Sequence, residues 1–178
     1  MSNILQTLKP DVVVLCETKA TNAFMANFFE KERYVPVIKP RVSTNSGGIV
    51  IAVRMALSKC FTESTSSVYD NICSAMLKSS GKNLKIIAAY GPQETAKKED
   101  REEFYAELAI ELKSGEDQGC YPFVIGDLNA KIMKDDLGKV AACSPNGQLL
   151  LDLYSTILLL MGNWQTMLLR QLLMKICC

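Results

Sequence analysis

Three uninterrupted apolar runs, rich in β-branched residues, constrain the fold of this chain more than any other feature. They cover residues 12–16, 49–53 and 121–125. Strands that are covered on both faces show such runs, whereas strands with one face in water alternate apolar and polar residues. We therefore predict sheets whose strands are buried on both sides.

The segments between these runs predict further strands and a hairpin. Residues 34–38 are typical of a short strand. Residues 71–77 and 84–90 flank the polar turn 79–82, a pattern that favours a β-hairpin. Residues 133–144 show no clear period and are predicted to be irregular.

Helical patterns occur at three places. Thr21 is placed to cap a helix in which Phe24 and Phe28 lie one turn apart. Residues 97–113 carry an apolar stripe at helical spacing, and a loop is predicted from Gly115 to Gly119. Residues 146–160 form the third predicted helix.

The order of these elements predicts the fold class. Adjacent strands in the middle of the chain argue against a simple alternating parallel sheet. We predict an α/β protein of the α+β type, with two packed mixed β-sheets flanked by helices as a four-layer sandwich, incomplete at its ends. Residues 1–163 would form this one domain, whereas residues 164–178 are apolar at nearly every helical angle and are predicted to be foreign to it.

Composition excludes several kinds of chemistry. The chain has no histidine, so it has neither a Ser-His or Cys-His nucleophile pair nor an imidazole metal ligand. Its seven cysteines include no CxxC pair, so a structural zinc site is not expected. Catalysis would have to use carboxylates, amides, tyrosine, lysine or a hard metal ion.

The same composition bears on location and partners. The odd number of cysteines and the lack of a signal peptide favour a reducing compartment, so we predict an intracellular protein, nuclear or cytoplasmic and not secreted. The net charge of +1 indicates no general affinity for nucleic acid. The apolar run 149–161 is shorter than the roughly 20 residues of a membrane span, so no membrane partner is predicted.

Two apolar strands end in acids, Glu17 and Asp127. Ligand sites of α/β proteins gather at the carboxyl ends of strands, and Mg²⁺ uses one or two carboxylates with water and phosphate oxygens. Glu17 suits that role, and the alternative is a solvated carboxylate in a surface ion pair. Asp127 is placed to orient or deprotonate a water, with the amide of Asn129 as a donor to a phosphoryl oxygen. The alternative is an Asx turn in which both side chains cap the backbone.

Two further residues have competing interpretations. The hydroxyl of Tyr90, at a strand end, is placed to reach a phosphate or a metal-bound water, or the ring simply anchors that strand. Asn146 would bind substrate or, as its position before a leucine run favours, cap a helix.

Five segments of the chain match one family in their order along the sequence. They are residues 10–19, which end in Cys-Glu-Thr-Lys; 47–53, which begin Gly-Gly; 88–92, Ala-Ala-Tyr-Gly-Pro; 123–130, which contain Gly-Asp-Leu-Asn; and 146–153, which begin Asn-Gly. Together they resemble the endonuclease/exonuclease/phosphatase superfamily. The last is similar to a segment common in endonuclease domains of non-LTR (LINE-type) retrotransposons and their craniofacial-development-protein-like relatives. Five ordered matches are more specific than any single one.

This resemblance implies a site and a reaction. Glu17 would hold Mg²⁺ or Mn²⁺, Asp127 would activate water, Asn129 would stabilise charge on the phosphorus centre, and Tyr90 would sit beside the scissile phosphate. The reaction would be single-strand nicking of DNA, the partner of the full-length family, without a covalent intermediate. Lys19 and Asn146 are the candidates for binding substrate. By their position in presumed loops near the site, Lys19, Arg41, Lys131 and Lys134 are candidates for contact with phosphate, and the alternative for each is a solvated surface charge.

The departures from the family pattern imply a truncated and inactive chain. The family begins with a strand that bears a metal-site asparagine and ends with a Ser-Asp-His segment, and the chain has neither. Two alternatives remain open. One is a catalytically dead remnant or interaction module, and the other is a relative that cleaves phosphoinositides or sphingomyelin.

Overall fold

The computed structural model of the chain describes residues 1–40, 47–63, 70–134 and 138–161. The predicted foreign tail, 164–178, and Arg41 lie outside these residues. The described chain forms two compact units. The first comprises residues 1–90 and 111–126, and the second comprises residues 91–110 together with the described residues from 127 onward.

The helices and strands follow the predicted order closely. In chain order they are α1 (Ser2–Leu8), β1 (Val12–Cys16), α2 (Asn22–Lys31), β2 (Tyr34–Lys39), β3 (Ile49–Arg54), a 3₁₀ helix (Met55–Cys60), β4 (Phe61–Glu63), β5 (Ile72–Leu77), β6 (Leu84–Tyr90), α3 (Lys98–Asp117), β7 (Tyr121–Asp127), β8 (Ile132–Lys134), β9 (Val140–Cys143) and α4 (Pro145–Met161). Among the described residues, no helix combines the length and the apolar character that crossing a membrane requires.

The first unit contains two sheets. One has the order β1-β3-β2 and is antiparallel throughout. The other has the order β4-β5-β6-β7, and the predicted hairpin is its antiparallel β5–β6 pair. Tyr121 N–H donates to Asn83 O (2.7 Å) where β6 and β7 begin, and Gly91 N–H donates to Asp127 O (2.7 Å) where they end. Strands β6 and β7 are therefore parallel, and this second sheet is mixed.

The two sheets pack face to face through an apolar core. Alternate residues of β3, namely Ile49, Ile51 and Val53, meet Ala75 of β5 and Ile86 of β6 there. The residues between them on β3 face a second core, which is formed with side chains of α1 and α2. Strand β3 is thus buried on both faces, as its uninterrupted apolar run predicted.

Helices cover the outer faces of both sheets in the first unit. Leu5 of α1 and Phe29 of α2 lie on the first sheet. The C-terminal part of α3 lies on the second sheet, where Lys85 of β6 donates to the Glu111 carbonyl at 3.1 Å. The predicted fold class, α/β with packed sheets flanked by helices, is confirmed.

Two predictions of secondary structure were wrong. Helix α3 continues through Gly115, which was predicted to begin a loop. A Cβ on Gly115 would lie 3.1 Å from Lys85 and 3.2 Å from Pro122, so the helix packs against the sheet at a distance that favours glycine. Close packing on the sheet therefore overrides the helix-breaking tendency of glycine. The segment predicted to be irregular contains β8 and β9, which pair as a short antiparallel hairpin.

The predicted cap of α2 is confirmed, but that of α4 is not. Thr21 Oγ1 accepts a hydrogen bond from Phe24 N–H at 3.2 Å. At α4 the capping side chain is Ser144, whose Oγ accepts from Gly147 N–H at 3.1 Å. Asn146 lies inside the first turn of that helix, two residues beyond the cap.

Candidate active site

Glu17 and Lys19 lie in a strained turn directly after β1. Both adopt left-handed backbone conformations, with φ of 54° and 51°. Thr18 N–H donates to Gly48 O at 3.1 Å, and Lys19 N–H donates to Gly47 O at 3.3 Å. Left-handed conformations at residues other than glycine cost free energy and concentrate at functional sites. The turn that carries Glu17 is thus held against the start of β3.

The carboxylate of Glu17 forms a local ion pair. Lys19 Nζ lies 3.4 Å from Glu17 Oε2, and the two side chains are 58% and 28% exposed. The ion pair foreseen as the alternative for Glu17 is present, with Lys19 as its partner. A partly exposed pair of this kind contributes little to stability.

Three strands of the first unit meet at the carbonyl oxygen of Ala89. Cys16 Sγ lies 3.7 Å from this oxygen. Gly126 approaches it so closely that a Cβ on Gly126 would lie 1.9 Å away. Cys16, Ala89 and Gly126 are the residues that immediately precede Glu17, Tyr90 and Asp127. The three chain segments that lead into the predicted site residues therefore converge on one atom.

Tyr90 is the last residue of β6, and it lies on the same face of that strand as Ile86 and Ala88. Its half-buried side chain packs against the core between the two sheets, and its N–H donates to Asn71 O at 2.9 Å. The ring therefore anchors the strand end, as the structural alternative proposed. The predicted contact of the Tyr90 hydroxyl with a phosphate stays a prediction.

The turn after β7 belongs to the second unit and has the Asx geometry that was foreseen as the alternative for this segment. Asp127 Oδ1 accepts from Asn129 N–H at 2.9 Å. Asn129 has φ of 47°, and its Nδ2 donates to Gly91 O at 2.7 Å. Asp127 Oδ2 and the second Nδ2 hydrogen of Asn129 have no partner among the described residues. Each side chain thus shapes the turn with one of its polar groups and leaves a second group without a partner among the described residues.

Asn146, in the first turn of α4, donates hydrogen bonds to this turn. Its side chain is fully buried, and Nδ2 donates both to Pro92 O at 2.7 Å and to Asn129 O at 3.0 Å. Its backbone N–H donates to a carboxylate oxygen of Glu94 at 3.3 Å. Contact with a substrate would require the loop to open, so the predicted substrate-binding role of Asn146 stays a prediction.

Three residues near the turn after β7 were not predicted from the sequence, namely Glu94 in the loop before α3 and Arg101 and Tyr105 in α3. Tyr105 O–H donates to Leu128 O at 3.0 Å. Burial, with the carboxylates of Glu94 and Asp127 nearby, raises the pKa of the Tyr105 hydroxyl. Arg101 Nη1 lies 3.7 Å from Glu94 Oε2. No local pattern marks these residues, because they act through loops that are distant in the chain.

The remaining lysine candidates lie in or near the β8–β9 hairpin. Lys131 N–H donates to Ser144 Oγ at 3.1 Å, so its backbone is held beside the cap of α4. Lys134 is the last residue of β8 and is exposed. The structure gives neither side chain a polar partner among the described residues, and their predicted contacts with phosphate stay predictions.

The oxygen donors suit a hard divalent cation bound by few protein ligands. Within the described segments, no three side chains from histidine, cysteine, aspartate and glutamate gather in one place. Glu17, with a partly exposed carboxylate at a strand end, fits the sparse pattern of Mg²⁺, which keeps water and phosphate oxygens as its other ligands.

A family model described as "Endonuclease/Exonuclease/phosphatase family" matches residues 1–166 of the chain. No curated protein matches it by sequence. Among solved structures, an AP endonuclease from Archaeoglobus fulgidus is 20% identical, with a TM-score of 0.61 over 88% of this chain and 64% of that one.

Two other solved structures have the same fold. The 3'-5' exonuclease NExo from Neisseria meningitidis is 20% identical, with a TM-score of 0.61 over 85% of this chain and 64% of that one. Truncated TDP2 from Caenorhabditis elegans is 15% identical, with a TM-score of 0.55 over 73% and 53%. The chain therefore spans less than two thirds of the length of each of these three structures.

Proposed function

Since this chain belongs to the endonuclease/exonuclease/phosphatase family, we propose that it is a phosphodiester hydrolase by descent, of the metal-dependent, DNA-nicking type found in retrotransposons. The observation that carries the proposal is the convergence at the Ala89 carbonyl. Cys16 and Gly126 both contact this atom, so the segments that lead into Glu17, Tyr90 and Asp127 share one point of the first unit.

In this proposal Glu17 holds Mg²⁺ or Mn²⁺. A cation bound there would supply Lewis-acid stabilisation of the phosphoryl oxygens. Lys19, which is paired with Glu17 at 3.4 Å, is placed to exchange that partner for a phosphate of the substrate. The strained backbone of both residues supports a functional role, because such strain persists only where the surrounding structure enforces it.

Asp127 and Asn129 act on the water and on the phosphate. Asp127 Oδ1 is committed to the Asx turn, so Oδ2 is the atom that would accept a proton from the attacking water. Asn129 keeps one Nδ2 hydrogen for a phosphoryl oxygen, while the other bonds Gly91 O. The water would form the new P–O bond as the bond to the leaving oxygen breaks, with Tyr90 beside the phosphate.

We propose that the 178 residues by themselves hydrolyse DNA at a negligible rate. The chain contains no histidine, and the family resemblance places a histidine on the phosphate. Residues that act as one catalytic unit lose orders of magnitude in rate when one of them is removed. The finer assignment to a retrotransposon type is supported by the Asn-Gly segment at the start of α4.

A plasmid-nicking assay with Mg²⁺ tests this proposal. We would compare this chain with a chain extended at both ends into its flanking coding sequence, each with and without Asp127→Ala. Asp152→Ala is the matched control, because Asp152 is an exposed carboxylate whose side chain bonds only Gln148 within the described residues. We expect nicking by the extended chain that is lost in Asp127→Ala and kept in Asp152→Ala.

Other outcomes would contradict parts of the proposal. Nicking by the 178-residue chain that disappears in Asp127→Ala would overturn its predicted inactivity. Hydrolysis of phosphoinositides or sphingomyelin, without nicking, would favour the lipid substrates. A lack of both activities in the extended chain, together with no binding of Mn²⁺, would indicate a catalytically dead remnant.

A further inference from the structure

The loop after β7 is fixed by partners from other segments of the second unit. Asp127 O accepts from Gly91 N–H at 2.7 Å, and Leu128 O accepts from the Tyr105 hydroxyl at 3.0 Å. Asn129 O accepts from Asn146 Nδ2 at 3.0 Å. Such support presents Asp127 and Asn129 in one defined conformation.

Asn146 differs from the other partners because its side-chain amide donates to two loops at once. Its two Nδ2 hydrogens go to Asn129 O, in the loop after β7, and to Pro92 O, in the loop after β6. Asn129 in turn donates from its own Nδ2 to Gly91 O, the residue before Pro92. The two asparagine amides thus tie both loops together in a closed arrangement.

The amide of Asn146 is kept at a cost. Its Oδ1 is buried and has no hydrogen-bond partner among the described residues. A buried acceptor without a partner destabilises a protein, and the two hydrogen bonds that Nδ2 donates to Pro92 O and Asn129 O offset that cost. The feature of asparagine that the site uses is therefore its pair of donors.

We propose that Asn146 is a positioning residue for phosphodiester hydrolysis, acting through Asn129. Its two donors hold the left-handed backbone of Asn129 against the Gly91-Pro92 turn, which aims the free Nδ2 hydrogen of Asn129 at the phosphate. This inference rests on the proposed function of Asn129. It assigns Asn146 a role that requires no contact with substrate, in keeping with its complete burial.

Hydrogen exchange measured residue by residue tests the positioning role without requiring activity. We would compare Asn146→Ala and Asn146→Asp with the control Gln148→Ala, an exposed amide on the same helix. The amides of Gly91 and Asn129 report on the two loops, and the amide of Ile51 in β3 reports on global stability. Both Asn146 variants should lose about tenfold or more in protection at Gly91 and Asn129, with a smaller change at Ile51.

The Asn146→Asp variant shows whether the hydrogen-bond donors of Asn146 matter, because it keeps the shape of the side chain. The carboxyl group introduced by this substitution would be buried, would face two carbonyl oxygens and would lie near Glu94, so its pKa would be raised. On acidification the protonated acid regains one donor, and protection at Asn129 should recover in part. Asn146→Ala should show no such recovery, since the alanine side chain has nothing to protonate.

Two results would overturn this inference. Loss of protection by one common factor at Asn129 and Ile51 would indicate a merely structural residue. Equal protection at Asn129 in Asn146→Asp before and after acidification would exclude the donor role. In an extended chain that nicks DNA, Asn146→Asp should lower kcat with little change in KM. If no extended chain nicks, the proposed function fails while the exchange result still decides whether Asn146 positions the loop.

Discussion

The backbone of Gly126 lies directly against the carbonyl oxygen of Ala89, at a distance that excludes any side chain. A Cβ on Gly126 would come within 1.9 Å of this oxygen and 2.9 Å of the carbonyl carbon. Because these atoms belong to the backbone of the neighbouring strand, they cannot rotate away as a flexible side chain would. The glycine of the Gly-Asp-Leu-Asn turn is therefore required by the packing of β7 on β6.

Gly126→Ala should separate these strands just before Asp127. We expect the free energy of unfolding to fall by about 1–3 kcal/mol or more, as for other overpacked sites. Urea denaturation measures this change. Gly81→Ala is the control, because its nearest neighbour, Ser79 Oγ, would be 3.9 Å from the new Cβ. Equal stability of the two variants would show that the strands tolerate separation.

The ion pair between Lys85 and Glu111 is almost completely buried. Lys85 Nζ lies 2.7 Å from Glu111 Oε2, and the two side chains are 2% and 9% exposed. Lys85→Met would leave a buried carboxylate without its partner. We expect a loss of about 3–5 kcal/mol in the free energy of unfolding, measured by urea denaturation.

The double variant Lys85→Met, Glu111→Met provides the matched control for this pair. With both charges removed, the apolar pair should lie within about 1–2 kcal/mol of the original protein, since buried ion pairs often contribute little beyond an apolar replacement. A double variant as unstable as Lys85→Met alone would mean that the lysine acts instead through its hydrogen bonds to the Glu111 carbonyl at 3.1 Å and to Ser114 Oγ at 3.2 Å.

Tyr105 should make stability depend on pH in the alkaline range. Its folded-state pKa is raised, first by burial and then by Glu94 and Asp127. The neutral hydroxyl therefore stabilises the fold fully below pH about 10, where unfolded tyrosine titrates, and this stabilisation is lost as the pH rises toward the folded-state value. The ionised oxygen can no longer donate to Leu128 O.

Tyr105→Phe isolates this contribution. At neutral pH it should cost about 1 kcal/mol, the net value of one hydrogen bond. Above pH about 10 the original protein should lose stability more steeply than Tyr105→Phe. Denaturation curves at several pH values test this, and parallel pH dependence of the two proteins would rule out Tyr105 as the group responsible.

Glu17→Gln tests the proposed metal ligand directly. Binding of Mn²⁺, followed by titration calorimetry, should weaken by at least about tenfold, since even indirect partners of metal ligands have effects of that size. Glu102→Gln is the control, because Glu102 is likewise a glutamate paired with a lysine, at 3.6 Å, although its side chain is more exposed than that of Glu17. Equal weakening in both variants would show that the effect comes from the loss of one negative charge and not from the loss of a metal ligand.

The sequence determined the longer strands, the main helices and the fold class, because these depend on local patterns, whereas the short strands β4, β8 and β9 were not predicted. The apolar run of β3 requires burial on both faces, and Thr21 caps α2 through an atom only three residues away. The candidate side chains Glu17, Tyr90 and Asp127 could also be named from their positions at strand ends.

Only the tertiary structure decided what supports those side chains. The contacts of Ala89 with Cys16 and Gly126 join segments that are up to 73 residues apart. Tyr105 and Asn146 act on the turn after β7 through hydrogen bonds that span 23 and 17 residues. Local periodicity reports only which face of an element is buried, so the partners that distant segments provide follow from packing alone.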